Sequence, residues 1–170
     1  MLKLIVCVRE CDNAIGKGLD ITYSFPSDLS NFKQVTLEQL VVMGRKTWDS
    51  LPFKPLPKRT NIIITRDKKL EIDGALVVRS RDEILKIAEN TQQDLWIIGG
   101  AEIYKMFLPY VDEIHLTTAN GDDHIPADIF MPNNFLNGFE RFGGRQSFSE
   151  KNRMTGNLCS YTIETFRRTK

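Results

Sequence analysis

The chain of 170 residues has few of the residues from which metal sites and disulfide frameworks are built. It contains three cysteines and two histidines, with no C-x-x-C pair and no H-E-x-x-H sequence. We therefore expect no bound metal ion. An odd number of cysteines, here Cys7, Cys11 and Cys159, is typical of free thiols in the reducing cytoplasm.

Excess charge of either sign and long apolar runs are also missing. The 23 Lys and Arg residues nearly balance the 22 Asp and Glu residues, so no overall field attracts nucleic acid or a membrane surface. No basic-then-apolar leader opens the sequence, and no apolar run approaches the roughly 18 residues of a membrane span. We expect a cytoplasmic monomer with small-molecule ligands, and no nucleic-acid or membrane partner.

What the sequence does contain is an alternation of short apolar runs and helical segments. Apolar residues make up 41% of the chain, and no linker or repeat interrupts it, which indicates a single domain over residues 1–170. Predicted strands cover 2–8, 39–43, 61–65, 75–78, 95–98 and 113–118, and predicted helices cover 24–35, 47–51, 80–89 and 101–108. Segments 139–148 and 158–166 follow as an antiparallel hairpin.

This order predicts an α/β fold with a mostly parallel sheet that the hairpin makes mixed. Ligands of such folds bind at the carboxyl ends of the strands. Four segments should therefore meet there, namely the long loop after Val8, Gly44–Thr47, the residues after Thr65, and Gly99–Ile103.

Asp28 is the most informative single residue. In a helix with Ser24 as its N-cap, Asp28, Phe32 and Val35 share one face, so the carboxylate lies among apolar side chains. Such a carboxylate is suited to bind a cationic or amidine-like group. The alternative is an acid that the helix dipole favours near the N-terminus.

Two strand-to-helix turns have the residues of phosphate sites. Gly44-Arg45-Lys46-Thr47 offers backbone N–H groups, two cations and a hydroxyl, and Arg66 can join it from the next strand. Gly99-Gly100-Ala101-Glu102 allows close approach to the backbone, although it does not match the G-x-G-x-x-G pattern. Either can be an ordinary solvated or tight turn, but together they favour a ligand with a pyrophosphate. Arg59, beside a proline-rich segment, suits a carboxylate or is simply solvated.

A series of short motifs, in this order and spacing, resembles the dihydrofolate reductases of the common single-chain chromosomal type. The motifs are Ile15-Gly16, Pro26-Ser27-Asp28-Leu29 with Phe32-Lys33, Met43-Gly44-Arg45-Lys46-Thr47-Trp48, Pro55-Leu56-Pro57 with Arg59 and Asn61, Ile98-Gly99-Gly100-Ala101-Glu102-Ile103-Tyr104, Thr117, and Asp128 before Phe130-Met131-Pro132. The match runs from Leu2 to about Phe166. It implies an eight-stranded mixed sheet with four helices, and NADPH-dependent reduction of 7,8-dihydrofolate to tetrahydrofolate.

The resemblance also implies roles in substrate binding. Asp28 matches the residue that pairs with the 2-amino group and N3 of the pterin ring, and Thr117 matches a hydroxyl that bonds both the acid and the ring. Arg59 matches the residue that clamps the α-carboxylate of the glutamate tail. The further positions of this pocket are Val6, Leu29, Phe32, Leu51 and Ile98.

For the cofactor, NADPH, the resemblance implies contacts on the adenine side and at the phosphates from Arg45, Lys46 and Thr47. The pyrophosphate turn has a cis Gly–Gly peptide in this family and consists here of Gly99, Gly100, Ala101, Glu102 and Ile103. The other cofactor positions are Val8, Ile15, Gly16, Gly44, Thr65, Arg66, Ile98 and Tyr104.

Cys11–Ser24, here called the lid segment, matches a mobile loop over the nicotinamide, with Ile21 at its tip. Tyr23 stands where bacterial members have tryptophan and Thr22 where they have proline. We expect the Tyr23 hydroxyl to hold a water near Asp28, so the catalytic candidates are Asp28, Tyr23, Ile21 and Thr117. The loop 119–127 is about two residues longer than usual.

Two other functions share parts of this pattern. A reductase of riboflavin biosynthesis has the same fold but lacks the Asp28–Phe32 helix pattern. A non-enzymatic nucleotide-binding module has no need for the acid, the Arg59 clamp and the phosphate turns together.

Overall fold

The computed structural model describes Met1–Lys170 and confirms the predicted mixed sheet with four helices. The strands are β1 (Leu2–Arg9), β2 (Ala14–Lys17), β3 (Asp20–Ile21), β4 (Leu40–Gly44), β5 (Thr60–Ile64), β6 (Leu76–Val78), β7 (Leu95–Gly99), β8 (Glu113–Asn120), β9 (Ile129–Phe130), β10 (Phe139–Lys151) and β11 (Leu158–Arg168). The helices are α1 (Pro26–Thr36), α2 (Arg45–Ser50), α3 (Arg81–Asn90) and α4 (Ala101–Phe107).

The main sheet has eight strands in the order β10-β11-β8-β1-β7-β4-β5-β6. The six strands from β8 to β6 are parallel, and the β10–β11 hairpin is added antiparallel to β8. Because parallel strands end at one edge, the segments that follow β1, β4, β5 and β7 lie together there, as predicted.

Apolar side chains cover both faces of this sheet. The largest cluster has 19 buried residues and lies on the side of α3 and α4, where Ile84 and Phe107 are fully buried. The other face has two smaller clusters, one around Trp48 and Trp96 and one around Phe25 and Tyr161. Helix α1 packs on this second face, where Val35 contacts the tryptophan cluster. No helix has both the length and the apolar character needed to cross a membrane.

The predicted long loops contain short strands. Ala14–Lys17, Asp20–Ile21 and Ile129–Phe130 form a second, three-stranded sheet in the order β3-β2-β9. Strands of two to four residues give no periodic signal in a sequence, which is why these segments were expected to be loops.

Helix α1 begins later than predicted, with Phe25 rather than Ser24 at the N-cap position and Pro26 in the first turn. The prediction of a Ser24 cap is wrong because the backbone of Ser24 is bound elsewhere. Its N–H donates to Asn152 Oδ1 at 3.0 Å, and its carbonyl accepts from the N–H of Arg153 at 2.8 Å. By contrast, the predicted capping box of Ser80 and Glu83 is confirmed at the start of α3.

Candidate functional site

Asp28 lies in the first turn of α1 and meets strand β8 of the main sheet. Its Oδ1 atom accepts a hydrogen bond of 2.5 Å from Oγ1 of Thr117, and Thr117 pairs in the sheet with Cys7 of β1. Burial raises the pKa of Asp28, the Thr117 hydroxyl lowers it, and the carboxylate of Glu150 raises it further. Because Oδ2 makes no hydrogen bond within the protein, it can accept the N–H groups of a bound ring.

Phe32 and Arg59 continue the same face of α1 away from Asp28. Phe32 follows Asp28 by four residues, which is roughly 6 Å along the helix axis. The guanidinium carbon of Arg59 lies 5.8 Å from the centre of the Phe32 ring, and Nη1 donates to Oγ1 of Thr36 at 3.2 Å. Burial lowers the pKa of Arg59 without removing its charge at neutral pH. A ligand along this face meets a carboxylate, an aromatic wall and a guanidinium in turn.

The apolar pocket candidates divide between the two faces of the sheet. Leu51 and Ile98 are half-buried and pack against the tryptophan cluster on the α1 side, and Leu29 of α1 is 40% exposed. Val6 and Val8 instead bury their side chains in the core on the opposite face. Val6, expected at the substrate, and Val8, expected at the cofactor, therefore have only their main-chain atoms available for a ligand on the α1 side.

The two glycine turns lie side by side at the carboxyl edge of the sheet. Gly99 has a φ of 139°, which favours glycine, and its peptide bond to Gly100 is cis, as the resemblance implied. A Cβ atom on Gly99 would lie 3.2 Å from Oγ1 of Thr47, and one on Gly44 would lie 3.1 Å from Cγ1 of Ile103. The first turn of α2 therefore packs against the turn at Gly99, and the first turn of α4 packs against the turn at Gly44.

This pair of turns fits the pyrophosphate of a nicotinamide dinucleotide. Gly44 and Gly100 are the N-caps of α2 and α4, and neither helix start has a side-chain cap. The first N–H groups of both helices, together with the Thr47 hydroxyl, can donate to phosphate oxygens. The missing side chains at Gly99 and Gly100 leave space for a ligand beside Thr47.

Three exposed cations, Arg45, Lys46 and Arg66, flank these turns. Strands β4 and β5 end side by side, since Gly44 pairs with Ile64, and Arg66 follows two residues after Ile64. Arg45 forms an ion pair of 3.1 Å with Asp49 one helical turn later. A phosphate beside Arg45 would compete with this carboxylate for the guanidinium.

The remaining cofactor candidates surround the same edge. The Tyr104 hydroxyl lies 2.8 Å from the carbonyl oxygen of Ile5 and 2.9 Å from that of Ile98, which joins α4 to β1 and β7. Ala101 and Glu102 form the first turn of α4, Thr65 follows β5, and Ile15 and Gly16 belong to β2.

The lid segment is held by β9, which pairs with β2, and by Asp128 just before it. The N–H of Gly18 donates to Asp128 Oδ1 at 3.0 Å, and the N–H of Asp128 donates to the carbonyl of Gly16 at 3.1 Å. Gly16 has no room for a side chain, because a Cβ atom there would collide with the carbonyl oxygen of Asp20. Ile21, at the tip, is 52% exposed and therefore available to cover a ligand.

The side chain of Tyr23 is fixed between the β8–β9 loop and Phe25. Its hydroxyl donates to the carbonyl of Gly121 at 2.6 Å, and its ring stacks on Phe25 at 5.6 Å between centres. The single hydroxyl proton of Tyr23 is thus donated to the β8–β9 loop, and only the lone pairs of the hydroxyl oxygen remain for the water that we expect near Asp28. Thr22, the other unusual residue of the lid segment, is buried with no hydrogen bond to its hydroxyl.

Sequence reasoning missed two residues on the β10–β11 hairpin that hold this site together. Glu150 accepts hydrogen bonds from the backbone and hydroxyl of Ser27, next to Asp28. Asn152 is fully buried and bonds the N–H of Ser24, the carbonyl of Thr22 and Oδ2 of Asp122. No local signal reveals them, because their partners lie 30 to 130 positions away.

Comparisons with known proteins agree with this geometry. The family model described as dihydrofolate reductase matches residues 1–168. The dihydrofolate reductase of Neisseria gonorrhoeae is 33% identical over 164 residues, 96% of each chain, and that of Mycobacterium tuberculosis is 37% identical over 115 residues, 66% of this chain and 68% of its relative. The structure of Enterococcus faecalis dihydrofolate reductase complexed with NADP(H) and RAB-propyl superposes with a TM-score of 0.86 at 28% identity, covering 100% of this chain and 97% of the other. The chain belongs to the dihydrofolate reductase family.

Proposed function

We propose that this protein reduces 7,8-dihydrofolate to 5,6,7,8-tetrahydrofolate with NADPH, by hydride transfer to C6 and protonation of N5. The family membership supports this activity, and one structural observation carries it. The Asp28–Thr117 pair and Arg59 lie at opposite ends of the apolar face of α1, in the order that a pterin ring and a glutamate tail require.

Asp28 is the residue that binds and polarises the ring. Its free Oδ2 and its bonded Oδ1 face a flat ligand with two adjacent N–H groups, while Thr117 orients the carboxylate. A half-buried negative charge stabilises the protonated form of the ring, so Asp28 favours addition of a proton at N5, which a water molecule carries. Burial of Asp28, which raises its pKa, also strengthens its interaction with the ring, because few water molecules screen the charge.

Arg59 and the apolar residues orient the rest of the substrate. The Arg59 fork can bind a carboxylate with two parallel hydrogen bonds, and its contact with Phe32 holds the side chain against α1. Phe32, Leu51 and Ile98 supply apolar surface between Arg59 and Asp28. These residues place the reacting carbon without taking part in the chemistry.

NADPH supplies the hydride when bound. The glycine turns and Thr47 hold its pyrophosphate, and Arg45, Lys46 and Arg66 are the cations available for its 2′-phosphate. The lid segment, with Ile21 at its tip, excludes water from the reacting atoms. These assignments place the dinucleotide along the carboxyl edge of the sheet, next to the substrate face of α1.

The reaction supplies reduced folate to one-carbon and thymidylate metabolism, and antifolates are the expected inhibitors. We propose a monomer in the cytoplasm whose ligands are dihydrofolate and NADPH, with no nucleic-acid or membrane partner. The net charge of +1 is consistent with small local anion sites rather than an extended basic surface. Sedimentation at several protein concentrations tests the monomer.

The direct test follows the loss of NADPH absorbance with dihydrofolate, in the presence and absence of methotrexate. We expect turnover that requires both substrates and that stoichiometric methotrexate abolishes. Binding of NADPH without any turnover would identify a nucleotide-binding module instead. Turnover that ignores methotrexate would point to a different reductase on the same fold.

A further inference from the structure

Glu150 of β10 is joined to the start of α1 by a compact set of hydrogen bonds. Its Oε1 accepts from the N–H of Ser27 at 2.8 Å and from the Tyr161 hydroxyl at 2.6 Å, and its Oε2 accepts from the Ser27 hydroxyl at 2.9 Å. Tyr161 is 2% exposed and stacks between Phe25 and Phe148, at 4.3 and 5.0 Å. These contacts hold the Glu150 carboxylate against Ser27, the residue that precedes Asp28.

From this geometry, and on the basis of the proposed function, we propose that Glu150 is a positioning residue for Asp28. Its carboxylate fixes the first turn of α1 and places a second negative charge behind the group that binds the pterin ring. An acidic group is favoured at the N-terminus of a helix. At the N-terminus of α1 this acidic group is Glu150, which belongs to strand β10. Glu150 thereby sets both the place of Asp28 and the pH range over which Asp28 and the bound ring hold a proton.

The negative charge of Glu150 acts on Asp28 without competition from other charged side chains. The titratable groups near Asp28 are Cys7 of β1, Glu150 of β10 and Tyr161 of β11, and Thr117 of β8 is its hydrogen-bond donor. Cys7 and Tyr161 are neutral near pH 7, since burial raises the pKa of both. Burial opposes ionisation of Glu150, but bonds from Tyr161 and Ser27 lower its pKa below the usual value. Glu150 is thus the one charged neighbour throughout the working pH range.

The hydrogen-bond pattern allows the charge to be removed while the position is kept. In Glu150→Gln, Oε1 can still accept from Ser27 and Tyr161, and the new amide can donate to the Ser27 hydroxyl. Glu150→Asp does the opposite, because it keeps the charge and withdraws the carboxylate from Ser27. Glu140→Gln is the matched control, since it removes an exposed charge from the same strand.

The pKa of Asp28 is measured in the ligand-free protein by the ¹³C chemical shift of its carboxyl carbon. We expect Glu150→Gln to lower this pKa by about half a unit, less than the 1–3 units of a charge in direct contact. The alkaline limb of the hydride-transfer rate should move to lower pH by a similar amount, with an unchanged acid plateau. Glu150→Asp should titrate like the wild type but transfer hydride several-fold more slowly, and Glu140→Gln should match the wild type in both measurements.

An unshifted Asp28 titration in Glu150→Gln would overturn the role of the charge. A wild-type hydride-transfer rate in Glu150→Asp would overturn the role in positioning. If Glu150→Gln does not fold, the test is made on the wild-type protein. There the carboxyl carbon of Glu150 should titrate at lower pH than that of Asp28, and the reverse order would overturn the proposal. The titration needs no turnover, so a protein that fails to reduce dihydrofolate refutes the proposed function and leaves this test intact.

Discussion

The hydroxyl of Thr117 and the carboxylate of Asp28 are 2.5 Å apart although 89 residues separate them in the chain. Thr117 lies on β8, which pairs with β1, and its hydroxyl meets the first turn of α1. The hydrogen-bond donor to this acid therefore comes from a strand that is far from α1 in the sequence. Its environment, rather than its sequence neighbours, determines how it titrates.

Replacement of Asp28 by Asn should separate activity from stability. The loss of a positioned acid–base group is typically worth about 10²–10⁴ in rate, and we expect this loss at pH 7, with a smaller loss at low pH where solvent protonates the substrate. The raised pKa means that the ionised acid disfavours the folded state above its unfolded pKa, so the variant should melt at the wild-type temperature or higher at pH 7. Stopped-flow rates and thermal melts test both; wild-type turnover at pH 7 would refute the assignment.

Replacement of Arg59 by Lys should raise the KM for dihydrofolate and leave kcat nearly unchanged. A planar fork becomes a point charge, and the glutamate tail lies far from the reacting carbon. The KM for NADPH should not change. A dihydropterin substrate without the glutamate tail is the control, and it should be reduced equally well by both proteins. If NADPH binding weakens as much as dihydrofolate binding, Arg59 belongs to the cofactor site.

NADPH should be preferred to NADH by at least about 10²-fold in kcat/KM. Each charge-assisted hydrogen bond contributes roughly 1.5–3 kcal/mol, and Arg45, Lys46 and Arg66 are all exposed near the predicted 2′-phosphate. Arg66→Ala should reduce this preference by lowering kcat/KM with NADPH alone. Arg81→Ala, at an exposed arginine of α3, is the control. Equal kcat/KM for NADPH and NADH in the wild type would refute the assignment of these cations to a 2′-phosphate.

Asp122 should make stability depend on acid pH. Burial alone would raise its pKa, but hydrogen bonds from Asn157, Thr155 and Asn152 lower it to about 2. A carboxyl with a lowered folded pKa contributes stability above its unfolded pKa near 3.9, here roughly 2 kcal/mol, and loses it as the pH falls from about 4 towards about 2.

Asp122→Asn should therefore lower the Tm by roughly 4–8 °C at pH 7, with a difference that shrinks below pH 4. Thermal melts at both pH values provide the test. Asp123→Asn, at the exposed neighbour, should leave the Tm unchanged. An equal decrease in Tm in both variants would show that the hydrogen bonds of Asp122 do not stabilise the folded protein.

Periodicity predicted the main strands and helices to within a few residues because each buries a continuous apolar run or face. β4, for example, buries every residue from Leu40 to Met43. The start of α3 was predictable because Ser80 and Glu83 form a capping box within four consecutive residues. The second sheet was not predictable, since Gly16 and Ile129 pair across more than a hundred residues. Ser24 was assigned to a cap because its hydroxyl is a local signal, whereas the contacts that hold it come from Asn152.

The site residues divide in the same way. Asp28 was recognisable because its helix places it beside Phe32, and the glycine turns were recognisable because a turn is local. The direction of the Tyr23 hydroxyl depends on Gly121, which no pattern around Tyr23 indicates. Val6 was placed in the cleft by analogy, while the alternation of β1 sends its side chain to the other face.

The position of the β10–β11 hairpin has a consequence for biosynthesis. Residues 139–168 leave the ribosome after the lid segment and α1, yet they hold Ser24 and Ser27 in place. A nascent chain that ends before Leu158 can pair β1 with β8, but its α1 and lid segment have no partner on the hairpin. The substrate-binding face of α1 is therefore completed only when the last strand has been made, and until then α1 lacks the hydrogen bonds that the hairpin provides.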